Sequence, residues 1–277
     1  MKRFARALAI SSVWLILLAA PTEPQSTGKG KISSNLTVTA PGNWRTIQKG
    51  LEYRRFAFER SEPSSTFELK LLRLDSKLIA AKVLSAAEFQ LKSANAKTFA
   101  EKSGALAAIN ANYFDDKGRA LAYLKTGSQE INRSLSKHAL YTGIFAVHDA
   151  KPLVLHRDDF QPGHAGEALQ AGPLLLNHGA PVDIMSGLGR YARRAMIGVD
   201  KQGRIIVGVT DAVIGGLSFA ELQELFSNAK WQLDAPDLLN LDGGGSAQLF
   251  VKSGKFEEFV AGTAEVPVAI GFYAKSN

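Results

Sequence analysis

The sequence predicts an α+β fold, a mixed and largely antiparallel sheet with a few helices in a single domain. Three observations predict it. Many short runs alternate apolar and polar side chains, as strands with one face on a core do. Only two windows carry a helical period. The 277 residues are 45% hydrophobic, enough to bury a sizeable core, and no internal repeat or second domain is visible.

Residues 1–20 read as an export signal. Lys2, Arg3 and Arg6 precede the apolar run Ala7–Ala20, which ends on small residues and is shorter than the roughly 20 apolar residues of a comfortable span. An uncleaved N-terminal anchor is the alternative. Residues 21–33 are polar, with Pro, Gly, Ser and Lys, and read as a linker. Residues 34–277 form the expected domain.

Within it, strands are expected from Leu36, over Tyr53–Arg60 and over Thr66–Leu74. Ser85–Ala100 reads as a helix with Phe89, Leu91 and Phe99 as its apolar residues. Ala105–Phe114 is a buried strand running into a polar turn. Leu140–His148 and Pro152–His156 are short strands, and Ile184–Tyr191 is a glycine-rich loop. Arg194–Asp211 is a hairpin about Asp200–Gly203. Ser218–Lys230 is the best helix: Ser218 with Glu221 makes a capping box, and Leu217 with Leu222 a staple. Val266–Tyr273 is the final strand.

Charge and composition narrow the function. The net charge is +7, and removing residues 1–20 takes away three of the cations, leaving +4. That mild balance gives a nucleic-acid partner little support. There is no cysteine, which rules out disulfides, thiol catalysis and cysteine–zinc sites. An exported chain without disulfides fits a bacterial periplasmic or secreted domain. The five histidines show no metal-ligand spacing, and no cofactor or metal is expected.

One segment stands out. Asn240-Leu-Asp-Gly-Gly-Gly-Ser246 lies between two apolar strands. It matches neither a Walker loop nor a Rossmann fingerprint. Three glycines are costly in conformational entropy unless the backbone needs unusual angles or close approach. Asp242, the Gly243, Gly244 and Gly245 amides and the Ser246 hydroxyl then converge on one point, suited to an anionic or sugar-like ligand. A tight turn capped by Asp242 is the plainer alternative. Asn110 ends a buried strand, Gly172 introduces another, and Arg194 opens the hairpin where its fork can grip a phosphate or carboxylate. Each of these three has an ordinary structural explanation when taken alone.

Taken in order, Asn110–Phe114, Gly172–Gly179, Arg194–Gly198, Ser218–Phe226 and Asn240–Ser246 resemble the phosphodiester glycosidase family. Its animal member removes N-acetylglucosamine from a sugar phosphodiester. The likeness spans about residues 100 to 273. Ala111 and Asn112 stand where the family pattern has glycines, and Ala195-Met196 where it has Thr-Ala. The resemblance implies an exported hydrolase that cleaves the glycosidic bond of a phosphodiester-linked sugar on a glycan or in the cell envelope. Asp242 would be nucleophile or base, Arg194 would hold the phosphate, and Asn110 would orient the substrate. Gly172, Gly243, Gly244, Gly245 and Ser246 would line its site. The rival reading is a non-catalytic module that binds cell-wall glycan or exopolysaccharide on the same scaffold. A third is metal-assisted cleavage of P–O rather than C–O.

Overall fold

The computed structural model describes residues 29–275 apart from residue 128. The export signal lies outside the described residues. Of the expected linker, Gly30–Ser33 is a strand, paired with Leu36–Ala40. Its polar composition hides two anchors: Ile32 packs against an apolar cluster, and the Ser33 hydroxyl donates to Glu221 at 3.1 Å.

Every described strand pairing is antiparallel. The strands form three sheets. The ten-stranded sheet contains the long Leu51–Ser61 and Ser64–Leu74 pair. It continues through Ile205–Asp211, Ala195–Val199 and Asp237–Asn240 to Leu174–Asn177. A five-stranded sheet is centred on Gly143–His148 and Glu167–Ala171. Another contains Leu249–Ser253, Ala107–Asn110 and Val268–Ala274. The largest apolar cluster takes side chains from all three, among them Leu72, Phe145, Leu169, Ile109 and Ile270. Burying apolar surface from every sheet in one cluster fixes where the strand ends meet.

The helix expected over Ser85–Ala100 is two shorter elements. Ser85 and Glu88 cap a single turn at Ala86–Phe89, which Gln90 ends in a left-handed conformation. Ala94 then runs extended to bridge Val266, and Asn95 caps a new helix, Ala96–Ser103. The pairing of Ala94 overrides the local helical period. The second helix, Phe219–Ser227, begins on Ser218 with the expected capping box. Leu217 and Leu222 are both fully buried in one cluster. This helix stops at Asn228, earlier than its composition suggests, because Asn228 accepts from the Lys230 amide and starts a separate turn.

Candidate active site

Four strand ends, drawn from all three sheets, are tied to one another at the glycine-rich segment. Asp237–Asn240 pairs with Ala195–Val199. The next amide, Leu241, donates to the Ala195 carbonyl at 2.8 Å, so Arg194 and Asp242 leave neighbouring strands at the same end. The Asp242 amide donates to Ala111 O at 3.0 Å, joining the end of the Ala107–Asn110 strand. Gly172 follows the Glu167–Ala171 strand, and its carbonyl accepts from Tyr113 Oη at 2.7 Å and from Asn240 Nδ2 at 2.9 Å.

The three glycines answer three different demands. A side chain at Gly243 would meet the Arg193 carbonyl at 2.8 Å, and one at Gly245 would meet the Thr263 hydroxyl at 2.7 Å. Gly244 has open space around it but a φ of +59°. No other residue satisfies all of these cheaply. The loop so formed is clamped. Gly244 N donates to Arg193 O at 2.9 Å, while Arg193 Nη2 reaches Ala247 O at 2.8 Å and Ala261 O at 2.6 Å. Gly245 O accepts from Thr263 N and Ala264 N.

Asn110 is fully buried, and both ends of its amide are used. Its Nδ2 donates to Asp242 O at 2.6 Å, and its Oδ1 accepts from Gln248 N at 3.0 Å. It fastens the base of the loop from below. Gln248, also fully buried, extends that fastening to Ala96, Ser246 and Ala264. Gly172 likewise serves the frame. A side chain there would collide with the carbonyl of Leu140.

Asp242 remains half-buried at the loop's entrance. Burial pushes its carboxyl up from 3.8 to about 6; hydrogen bonds from the Ser246 hydroxyl and the Gly243 amide offset part of that cost. The Gly243 and Gly244 amides are thus occupied within the loop, and Gly245 N takes no backbone partner in the described network.

Arg194 is 7% exposed and lies over the Phe219 ring at 3.8 Å. Nε donates to Leu217 O at 2.9 Å and Nη2 to Arg190 O at 2.6 Å. Nη1 makes no hydrogen bond among the described residues, and no acidic side chain pairs with the guanidinium there. Burial lowers its pKa to about 10, helped by the charge of nearby Arg190 and opposed by Tyr113, so it stays cationic at neutral pH. Arg190 is exposed and also lacks an ion pair among the described residues.

Further residues surround these groups. Tyr113 is within reach of both charges: burial raises its phenol pKa, Asp242 raises it further, and Arg194 opposes both. Beside it stand Tyr141, 5.2 Å away between ring centroids, and then His138, 4.9 Å from Tyr141. Asn240 and Asn112 each keep a buried side-chain oxygen without a protein partner. Tyr113 and Asn240 belong to motifs visible in the sequence, whereas His138 and Tyr141 lie in a connection: the strand expected from Leu140 starts only at Gly143, which leaves Tyr141 outside it. No group of three or more His, Asp or Glu side chains gathers as a metal site among the described residues.

A half-buried acid on a rigid glycine loop and an arginine without an acidic partner thus stand at neighbouring strand ends of the antiparallel sheets. The chain belongs to the phosphodiester glycosidase family, whose sequence profile matches residues 103–273. Among solved structures it is similar to the catalytic domain of zebrafish N-acetylglucosamine-1-phosphodiester alpha-N-acetylglucosaminidase, auto-inhibited by its pro-peptide. That match is 15% identical, has a TM-score of 0.64, and covers 87% of this chain and 89% of that one. A hypothetical protein from Synechocystis is 16% identical with a TM-score of 0.63, covering 86% of this chain and 64% of that one. A candidate exported protein from Burkholderia pseudomallei is 12% identical with a TM-score of 0.57, covering 75% and 74%. No curated protein sequence matches. Among the described residues no helix is long and apolar enough to cross a membrane.

Proposed function

We propose that this chain is an exported hydrolase that breaks the glycosidic bond of a sugar phosphodiester in a glycan or cell-envelope substrate. The observation that supports the proposal is that Asp242, its carboxyl raised to about 6, and Arg194, whose Nη1 has no partner among the described residues, leave neighbouring strands at the same end. Cleavage at an anomeric carbon passes through an oxocarbenium-like state and needs a carboxylate beside that carbon. Asp242, charged above pH 6, serves there as nucleophile or as base for water. The departing phosphate is already a stable anion, so a strong general acid is not required. What it needs is positive charge and N–H donors. Arg194 Nη1, the exposed Arg190 and the Gly245 amide are available for that role. Asn110 acts on this chemistry through the loop it holds, and Ser246 orients the Asp242 carboxylate.

Incubation with a synthetic hexose-1-phosphodiester tests the proposal. Free sugar is expected with the wild type and at least about 10²-fold less turnover with Asp242→Asn, the low end for acid–base groups. Binding without release by the wild type would instead make the protein a glycan-binding module.

A further inference from the structure

We infer that Tyr141 and His138, with Tyr113 behind them, form a platform on which the pyranose ring of the substrate stacks beside Asp242. The inference rests on the glycosidase reading and names residues that it leaves unassigned.

The three rings form a row, with Tyr141 in the middle. The Tyr113 and Tyr141 rings are 5.2 Å apart and inclined by 31°; Tyr141 and His138 are 4.9 Å apart and inclined by 36°. The inner ring reaches the loop base, since Tyr113 Oη lies 3.4 Å from Leu241 O, the residue before Asp242. The outer ring is exposed. The face of a pyranose that carries its axial C–H groups is apolar and slightly positive, and an aromatic face is negative. Ligand sites commonly join such walls to a few fixed polar groups.

Those polar groups are present. Tyr113 Oη is engaged by Gly172 and Asn240, but the Tyr141 hydroxyl makes no hydrogen bond among the described residues. His138 Nδ1 accepts from the Leu140 amide at 3.2 Å, so the neutral ring carries its proton on Nε2, turned away from the backbone. A tyrosine hydroxyl and an imidazole N–H are thus offered to sugar hydroxyls along the row.

The row is rigid although it belongs to a connection. Arg157 Nη1 donates to His138 O at 2.6 Å and Tyr141 O at 3.3 Å. The buried Gln170 donates to Ser136 O and Tyr141 O, each at 2.7 Å. Gly172 makes room for the carbonyl of Leu140. Two long side chains and a glycine therefore hold the backbone from Ser136 to Tyr141 against the strand end that leads to the site. A connection fixed this firmly presents its rings in one orientation, as a specificity surface requires.

Two measurements on Tyr141→Ala, Tyr141→Phe and His138→Ala test the platform. The first is saturation-transfer NMR with methyl hexopyranosides; the second is steady-state kinetics on a synthetic hexose-1-phosphodiester. Tyr141→Ala is expected to lose sugar binding and raise KM about tenfold while kcat changes less, with Tyr141→Phe restoring most of both. His138→Ala, at an exposed position that leaves folding intact, is expected to raise KM about threefold. Unchanged binding and KM in Tyr141→Ala, or a Tyr141→Phe variant as impaired as Tyr141→Ala, would overturn the platform. Tyr141-dependent binding with no sugar release by the wild type would uphold the platform and overturn the hydrolase.

Discussion

Two buried arginines flank the start of the Phe219–Ser227 helix, and their surroundings differ. Arg60, 1% exposed, lies over the Tyr191 ring at 3.6 Å and forks onto both oxygens of Glu221 at 2.8 Å each. Arg194, 7% exposed, lies over the Phe219 ring at 3.8 Å and finds only backbone carbonyls. The acids differ as well. Burial works to raise the Glu221 carboxyl, but bonding to Arg60 and the Ser218 amide overcomes it and holds the group below its ordinary value. Nothing cationic offsets the burial of Asp242, which rises to about 6. The first region has its charges matched and works as a brace. In the second, the charges are unmatched among the described residues, and perturbed groups of this kind gather at functional sites. A cavity alone would mislead: the 390 Å³ one lined by Arg73, Lys201 and Arg204 has each of those cations already paired.

The largest effect should come from breaking the brace. Glu221→Ala leaves Arg60 buried without its acid, and such a loss costs about 3–5 kcal/mol. Urea denaturation is expected to show that fall, with turnover per folded molecule much less affected. A near-normal midpoint would mean that the pair contributes little. Asp242→Asn should show the reverse pattern, with turnover at least about 10²-fold down and folding intact.

The pH dependence of the two regions should also run in opposite directions. Because the folded pKa of Asp242 is raised, its stabilising contribution is full below about pH 4 and lost as pH rises through 6. At roughly 1.4 kcal/mol per pKa unit this amounts to at most about 3 kcal/mol, less for a carboxyl that keeps some solvent. Asp242→Asn should therefore raise the melting temperature above pH 6 and leave it unchanged near pH 4. Glu221, with a depressed pKa, loses its contribution as pH falls through that value. A melting temperature for Asp242→Asn that is lower than wild type at pH 7 would count against the buried, unmatched carboxylate. The smallest effect is expected for Arg194→Lys, which keeps the charge but not the fork: about tenfold in turnover, near 1.4 kcal/mol. Unchanged kinetics would reduce Arg194 to a clamp for Leu217 and Arg190.

These contrasts also explain what could be read in advance. The antiparallel architecture was legible because alternation records which face is buried, and the Ser218 helix because its cap is local. Ser85–Ala100 misled because a long-range bridge at Ala94 outweighs a local period. The Asp242 loop declared itself through three adjacent glycines, each needed for a different contact. Asn110 was visible as a strand-end residue, yet its bonds to Asp242 and Gln248 depend on a strand pairing that spacing does not reveal. Tyr141 was read as part of a strand from Leu140, but the strand starts at Gly143, because Arg157 and Gln170, distant in sequence, hold the backbone of His138 and Tyr141 in a connection instead.

Hydrolysis of a synthetic hexose-1-phosphodiester in ¹⁸O-labelled water puts the central claim to its most direct test. Attack at the anomeric carbon, as the proposed reaction requires, puts the label on C1 of the released sugar. Label in the phosphate monoester would mean that the P–O bond breaks and would contradict the account.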